Sequence, residues 1–112
     1  MRMQILLNQF QISTGADVED FSRAWSRFSE YLIDHELASH VSALNDRIST
    51  SDFDSEEDNV HTHCAMIYFE NAEQASRAWQ TIEKKIEPLA SLHREVMRLV
   101  ESPSFTFWGN EE

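Results

Sequence analysis

The pattern of apolar and polar residues opens with a predicted strand over residues 5–12. Its residues are β-prone, and apolar side chains fall on both of its faces. One face carries Ile5 and Leu7, and the other carries Leu6, Phe10 and Ile12. A strand with this pattern is typical of the centre of a sheet that is covered on both sides.

A helix is predicted after the break at residues 13–15. From Val18 to Leu32 the apolar residues recur at steps of three and four, which indicates a helix with one buried stripe. Either Thr14 or Asp17 has the side chain needed to cap the N-terminus of this helix. It is the element that the sequence specifies most strongly.

The middle of the chain predicts two strands joined by a polar loop. Residues 39–49 favour a strand because their apolar positions alternate, although residues 37–44 are also compatible with a helix. Residues 50–59 are polar and acidic and have no periodicity, so we expect a solvated loop there. Residues 61–70 alternate clearly and predict the second strand.

A second helix is predicted to begin after Asn71, which has the spacing of a capping box with Gln74. Pro88 either kinks this helix or begins a new one. The apolar stripe beyond Pro88 reaches Val100, and the Ser102-Pro103 pair is expected to end the helix.

An aromatic strand over residues 105–108 completes the order β, α, β, β, α, β, with the second helix kinked or split. Two β-α-β units predict an α+β ferredoxin-like βαββαβ sandwich, with both helices on one face of a four-stranded antiparallel sheet. The other face is apolar and uncovered, so we expect a homodimer that packs through the sheet. The length of 112 residues suits one domain over residues 1–112.

Charge and motif content exclude several classes of function. The chain has 20 acidic and 9 basic residues, a net charge of −11, so neither nucleic acid nor an anionic membrane is an expected partner. Its single cysteine, Cys64, cannot form an intramolecular disulfide, and no segment has the pattern of a signal peptide or membrane span. We therefore expect a cytoplasmic location. No phosphate-binding loop, nucleophile elbow or zinc-protease motif occurs, and we expect no cofactor.

Asn8, Tyr68 and His93 are the candidate ligand-binding residues because each is a polar group in an apolar setting. A buried amide at Asn8 needs a hydrogen-bond partner, and the Tyr68 hydroxyl could point into a barrel cavity. The alternatives are packing roles: an interface tyrosine at position 68 and a core histidine at position 93.

His61 and His63 form an H-x-H pair that projects from one face of a strand at a spacing suited to metal ligands. If the neighbouring strands pair residues whose numbers sum to about 109, Asp46 lies opposite His63 and completes a two-His, one-carboxylate set. A slip of one residue would move Asp46 to the other face. The alternative is a pair of ordinary surface or strand-end histidines.

The element order resembles that of the dimeric α+β barrel superfamily, which includes small cofactor-free monooxygenases, haem-degrading enzymes and stress-responsive barrel proteins. The run from Asn8 to Gly15 is similar to the first strand of the haem-degrading and antibiotic-biosynthesis monooxygenase branch. That branch combines the Asn with a strand Trp and a helix His. His93 fits the helix His, whereas Tyr68 and Phe69 stand where the Trp is expected.

The resemblance implies a small-molecule-binding or cofactor-free monooxygenase-like dimer whose ligand is small and apolar or aromatic. The alternative is a non-enzymatic dimeric interaction or regulatory module. The sequence leaves open whether the protein is an enzyme, because one fold supports many functions.

Overall fold

The computed structural model describes residues 3–56 and 60–110. The elements are β1 (Gln4–Ile12), α1 (Val18–Asp34), β2 (His40–Val41), β3 (Asn45–Asp46), β4 (His63–Phe69), α2 (Ala72–Glu83), α3 (Leu89–Arg98) and β5 (Val100–Gly109). The sheet is antiparallel in the order β2-β4-β1-β5, and β3 also pairs with β4. The predicted α+β ferredoxin-like fold is confirmed, with β1 and β4 at its centre.

The two faces of the sheet differ as the alternation along β1 and β4 predicts. Leu6, Asn8 and Phe10 of β1 face the helices, and Ala65 and Ile67 of β4 lie beside them. The helix side of the sheet and the buried stripe of α1 form one hydrophobic core. Because side chains alternate along a strand, the opposite face carries the even-numbered residues of β4 and the odd-numbered residues of β1.

Two side-chain caps begin the long helices. Asp17 caps α1 in a reciprocal capping box with Asp20, which selects one of the two predicted capping residues. Asn71 caps α2 by accepting a hydrogen bond from the backbone amide of Gln74. The Gln74 side chain accepts from the amide of Glu70 instead of returning to Asn71, so only half of the predicted box forms.

The predicted helix after Asn71 is divided, and its second part is shorter than predicted. Pro88 precedes the first residue of α3, where its missing N–H is not needed by the helix. Helix α3 ends at Arg98, and β5 begins already at Val100, so the Ser102-Pro103 pair lies inside the last strand. Ser102 adopts a φ of 53°, and a proline is tolerated there because β5 is an edge strand.

The strand predicted over residues 39–49 is two short strands, so the sheet has five strands and not four. Ser42 interrupts it: its hydroxyl accepts a hydrogen bond from the Met66 amide at 2.8 Å, where a backbone carbonyl would accept in a regular ladder. Its own carbonyl accepts from the indole N–H of Trp25 at 2.8 Å. A tertiary contact with α1 therefore divides the strand.

Most described residues of the acidic loop are exposed, as expected of a solvated loop, and Arg47 contacts the middle of the loop. Both oxygens of Asp54 accept hydrogen bonds from the Arg47 guanidinium, each at 2.6 Å, and Arg47 also donates to the backbone carbonyl of Glu56. The Arg47 hydrogen bonds lower the pKa of Asp54 from its ordinary 3.8 to about 2. Residues 57–59, which belong to the predicted loop, lie outside the described residues.

Within the described residues, no helix has both the length and the apolar character needed to cross a bilayer.

Candidate functional site

A cavity of about 430 Å³ lies between the sheet and the three helices. Its sheet side is lined by Leu6, Asn8, Phe10, Val100, Pro103 and Phe105. Its helix side is lined by Phe21, Trp25, Phe28, Trp79, Ile82, His93, Val96 and Met97. The volume falls in the range of small-molecule sites, about 300–1,000 Å³. A cavity of this size with mostly apolar walls is the strongest candidate site in the described chain.

Asn8 brings an amide group into this apolar cavity. It lies in the middle of β1, opposite Ala65 of β4 and Phe105 of β5. Its Nδ2 donates to the backbone carbonyl of Ala65 at 3.2 Å. Within residues 3–56 and 60–110, no group donates a hydrogen bond to its Oδ1. A buried amide normally uses both ends, so the oxygen of Asn8 is available to a ligand.

His93 is the second polar side chain of the cavity. It lies in α3, and its ring packs against Phe28 with centroids 5.8 Å apart. Burial lowers the pKa of His93, and the positive charge of Arg94 lowers it further. Neither ring nitrogen forms a hydrogen bond with another residue of the described chain. The imidazole is therefore neutral at neutral pH, with one donor and one acceptor nitrogen to offer.

Three aromatic side chains of α1 pack against one another and form one wall of the cavity. The Trp25 indole stacks on Phe21 with centroids 5.8 Å apart and packs at the same centroid distance against Phe28. Its indole N–H donates a hydrogen bond to the backbone carbonyl of Ser42. Trp25 thus presents only apolar ring surface to the cavity.

The sequence does not predict that Trp25, Phe28 and Trp79 line a cavity. Each lies on a helical apolar stripe, a pattern that does not distinguish a filled core from a cavity wall. The tryptophan sought on the strand at positions 68 and 69 is absent there, and two tryptophans reach the cavity from helices instead.

Tyr68 does not join Asn8 and His93. It lies on the opposite face of the sheet, where its ring stacks on His40 with centroids 4.2 Å apart. Its hydroxyl donates to the sulfur of Met66 at 3.6 Å. The reason is the register of β4: its odd-numbered residues face the helices, so position 68 faces away from them.

The predicted metal residues are only partly brought together. The pairing of Asp46 with His63 is confirmed, and His63 Nε2 lies 3.1 Å from Asp46 Oδ1. His61, however, precedes β4, and its Nε2 lies 2.8 Å from the backbone oxygen of Ser102 in β5. Among the residues that the structure describes, no three histidine, cysteine or acidic side chains are grouped to hold a metal ion.

The chain has no match by sequence among protein families or curated proteins, whereas its structure is similar to solved structures. No protein-family model matches the chain, and no curated protein matches it significantly. A mutant of SnoaB, a cofactor-independent oxygenase from Streptomyces nogalater, is similar with a TM-score of 0.68 at 11% identity. The similarity covers 98% of this chain and 94% of that one.

Two further solved structures have the same architecture. A dabb family protein with a ferredoxin-like fold from Mesorhizobium loti has a TM-score of 0.63 at 11% identity, covering 96% of both chains. A dimeric ferredoxin-like protein of unknown function from Thermobifida fusca has a TM-score of 0.63 at 5% identity, covering 97% of this chain and 92% of that one. At these identities the shared property is the fold, and the resemblance to dimeric α+β barrel proteins is confirmed at that level.

Proposed function

We propose that this protein binds a small apolar or aromatic molecule in the cavity between its sheet and helices. The observation that carries the proposal is the combination of apolar walls with two polar groups, Asn8 Oδ1 and the His93 ring. Neither group forms a hydrogen bond with another residue of the described chain. A small number of polar groups in an apolar cavity is the usual design of a ligand site.

A hydroxylated aromatic molecule suits these two groups. A phenolic O–H can donate to Asn8 Oδ1 or to the unprotonated nitrogen of His93, while the ring contacts Trp25 and Phe28. Each hydrogen bond engages a polar atom that has no partner among the described residues, and such a bond stabilises the complex by about 0.5–1.5 kcal/mol.

Oxygen-dependent oxidation without a cofactor is the activity that we propose for such a ligand. In the balanced reaction, one atom of O2 forms a new C–O bond on the phenol ring to give a quinone, and the other atom leaves as water with the two displaced hydrogens. Neutral His93 can accept a hydrogen bond from the phenolic O–H and draw its proton away as the ring loses electrons to O2. The fold similarity to the cofactor-independent oxygenase SnoaB supports this choice of reaction class.

The test is calorimetric titration with 1-naphthol, with a parallel measurement of oxygen uptake. His93→Phe keeps an aromatic ring in the cavity and removes its hydrogen bonds, so we expect about a tenfold loss of affinity and no oxygen uptake. Tyr68→Phe is the matched control, because it removes one hydroxyl from the opposite face of the sheet, and it should bind like the parent protein. Equal affinity in the parent protein and both variants, or no binding by any of them, would refute the proposed site.

We also propose that two copies pack through the outer face of the sheet. That face carries Ile5, Leu7, Met66, Tyr68 and Trp108, and proteins of this fold from Thermobifida fusca and Bacteroides fragilis are dimeric. Sedimentation equilibrium should give a dimer for the parent protein and a monomer for Leu7→Lys. A monomeric parent at micromolar concentration would contradict the interface. If the cavity fails to bind naphthol, this dimer would leave an interaction module as the function.

A further inference from the structure

A second cavity, of about 510 Å³, adjoins the first one beside α2. The two cavities share three lining residues, Leu6, Trp79 and Ile82. Small residues of α2, Ala72, Ala75 and Ala78, line this cavity and leave space beside the sheet. The three shared residues therefore separate the proposed ligand site from the second cavity and line both of them.

The chemistry of the second cavity differs from that of the first. Its walls are mainly aliphatic and aromatic, and no charged side chain lines it among the described residues. The inward-facing ring of Phe107 meets Phe69 at its far end, with centroids 6.2 Å apart. Large apolar side chains are exposed here, with Trp79 60% and Phe107 53% accessible to solvent. Exposed aromatic side chains beside an apolar cavity are typical of a binding site.

We propose that the two cavities form one elongated site, in which a phenolic head binds at Asn8 and His93 and an uncharged apolar tail extends past Trp79 into the second cavity. This inference rests on the proposed function of the first cavity. The absence of charged lining residues from the described part of the second cavity selects an alkyl tail over a charged one, because burying an unpaired charge is strongly unfavourable. The ligand class is thus a long-chain alkylphenol or a molecule of similar shape.

The experiment is a calorimetric series of 4-alkylphenols from 4-ethylphenol to 4-octylphenol. Each methylene that becomes buried should increase affinity about fourfold. The increase should continue through the series in the parent protein, because the tail has the second cavity to enter. Ala72→Phe places a ring in the second cavity from an exposed helix position, so the increase should stop at a shorter chain while the affinity for 4-ethylphenol stays unchanged.

Gln80→Phe is the matched control, since it adds the same ring at an exposed position of α2 that lines neither cavity. It should behave like the parent protein across the whole series. An identical chain-length limit in the parent and Ala72→Phe proteins would overturn the elongated site and leave the first cavity standing. A changed sedimentation coefficient in Ala72→Phe alone would assign the second cavity to a contact between copies and also overturn the inference. If no alkylphenol binds at all, both the inference and the proposed function fail.

Discussion

Replacing Asn8 by leucine should make the protein more stable and a poorer binder. The two side chains have the same number of heavy atoms and the same branching at Cγ, and the cavity beside Asn8 has room for the larger methyl groups of leucine. It removes the hydrogen bond to Ala65, whose net contribution is about 0.5–1.5 kcal/mol. It also replaces an amide oxygen that accepts no hydrogen bond from the described residues by apolar groups, and burying a leucine side chain contributes about 1.5–3 kcal/mol.

The balance of these two effects favours Asn8→Leu by about 1 kcal/mol, which corresponds to a rise in Tm of roughly 4 °C. Urea denaturation measures the difference, and an unchanged dependence on urea shows that the folded and unfolded states stay comparable. Asn8→Ala separates size from polarity, because it removes the same amide and leaves a void. It should be less stable than Asn8→Leu.

The affinity for 1-naphthol should fall about tenfold in Asn8→Leu, the effect of losing one hydrogen bond to a ligand in an apolar site. A residue whose loss stabilises the fold and weakens binding serves the ligand and not the core. A loss of more than about 1 kcal/mol in the stability of Asn8→Leu would contradict this role, because the amide would then act chiefly in holding β1 to β4.

Three further predictions concern single side chains. Ser29 is buried in α1, and its hydroxyl has no hydrogen-bond partner within the described chain. Ser29→Ala should therefore raise the free energy of unfolding, measured by urea denaturation, by about 1 kcal/mol. A loss of stability would show that the hydroxyl is not unpaired. The pKa of Asp54 is about 2 in the folded protein and 3.8 ordinarily, so its pairing with Arg47 stabilises the fold above pH 4, and this contribution is lost as the pH falls towards 2. In acid titrations followed by circular dichroism, the stability of Asp54→Asn should therefore depend less on pH over that range than the stability of the parent protein. Burial lowers the pKa of His93 below its ordinary 6.5 in the folded protein, so the unfolded chain takes up this proton first and the stability of the fold decreases as the pH falls below 6.5. The difference in unfolding free energy between pH 7.5 and pH 5.5 should therefore be smaller in His93→Phe than in the parent protein. An equal difference would show that His93 is not desolvated.

Much of the architecture could be predicted because local patterns report it directly. Periodicity predicts the helix from Val18 and a strand over residues 61–70, which is found at His63–Phe69. Proline geometry predicts a break at Pro88 but leaves a kink and a new helix open, and the structure has a new helix. The Asp46–His63 pairing also agrees with the predicted sum of 109. The errors lie where a contact distant in sequence overrides the local pattern, as at Ser42. Its backbone oxygen accepts a hydrogen bond from the Trp25 indole, and its hydroxyl accepts one from the backbone amide of Met66 in the neighbouring strand.

The candidate site was only partly predictable, and Tyr68 and His61 illustrate the reason. Both were singled out by residue type, but the strand register turns Tyr68 to the far face, and Ser102 of the last strand engages His61. Asn8 and His93 do line one cavity, although they are far apart along the chain. The choice between a packing role and a ligand role for such residues depends on what surrounds them in space.

The order of most elements, the buried stripes of α1 and α3 and the acidic character of the chain follow from the sequence alone, because these depend on neighbouring residues and on counting. The meeting of two cavities at Trp79, which leaves that predicted core residue 60% exposed, and the position of the Asn8 amide on the first cavity are visible only in the folded chain. The walls of that first cavity come from β1, all three helices and β5, and their apolar stripes have the same pattern whether the space between them is filled or empty. Cavities arise from the distances between elements, which no local pattern of residues encodes.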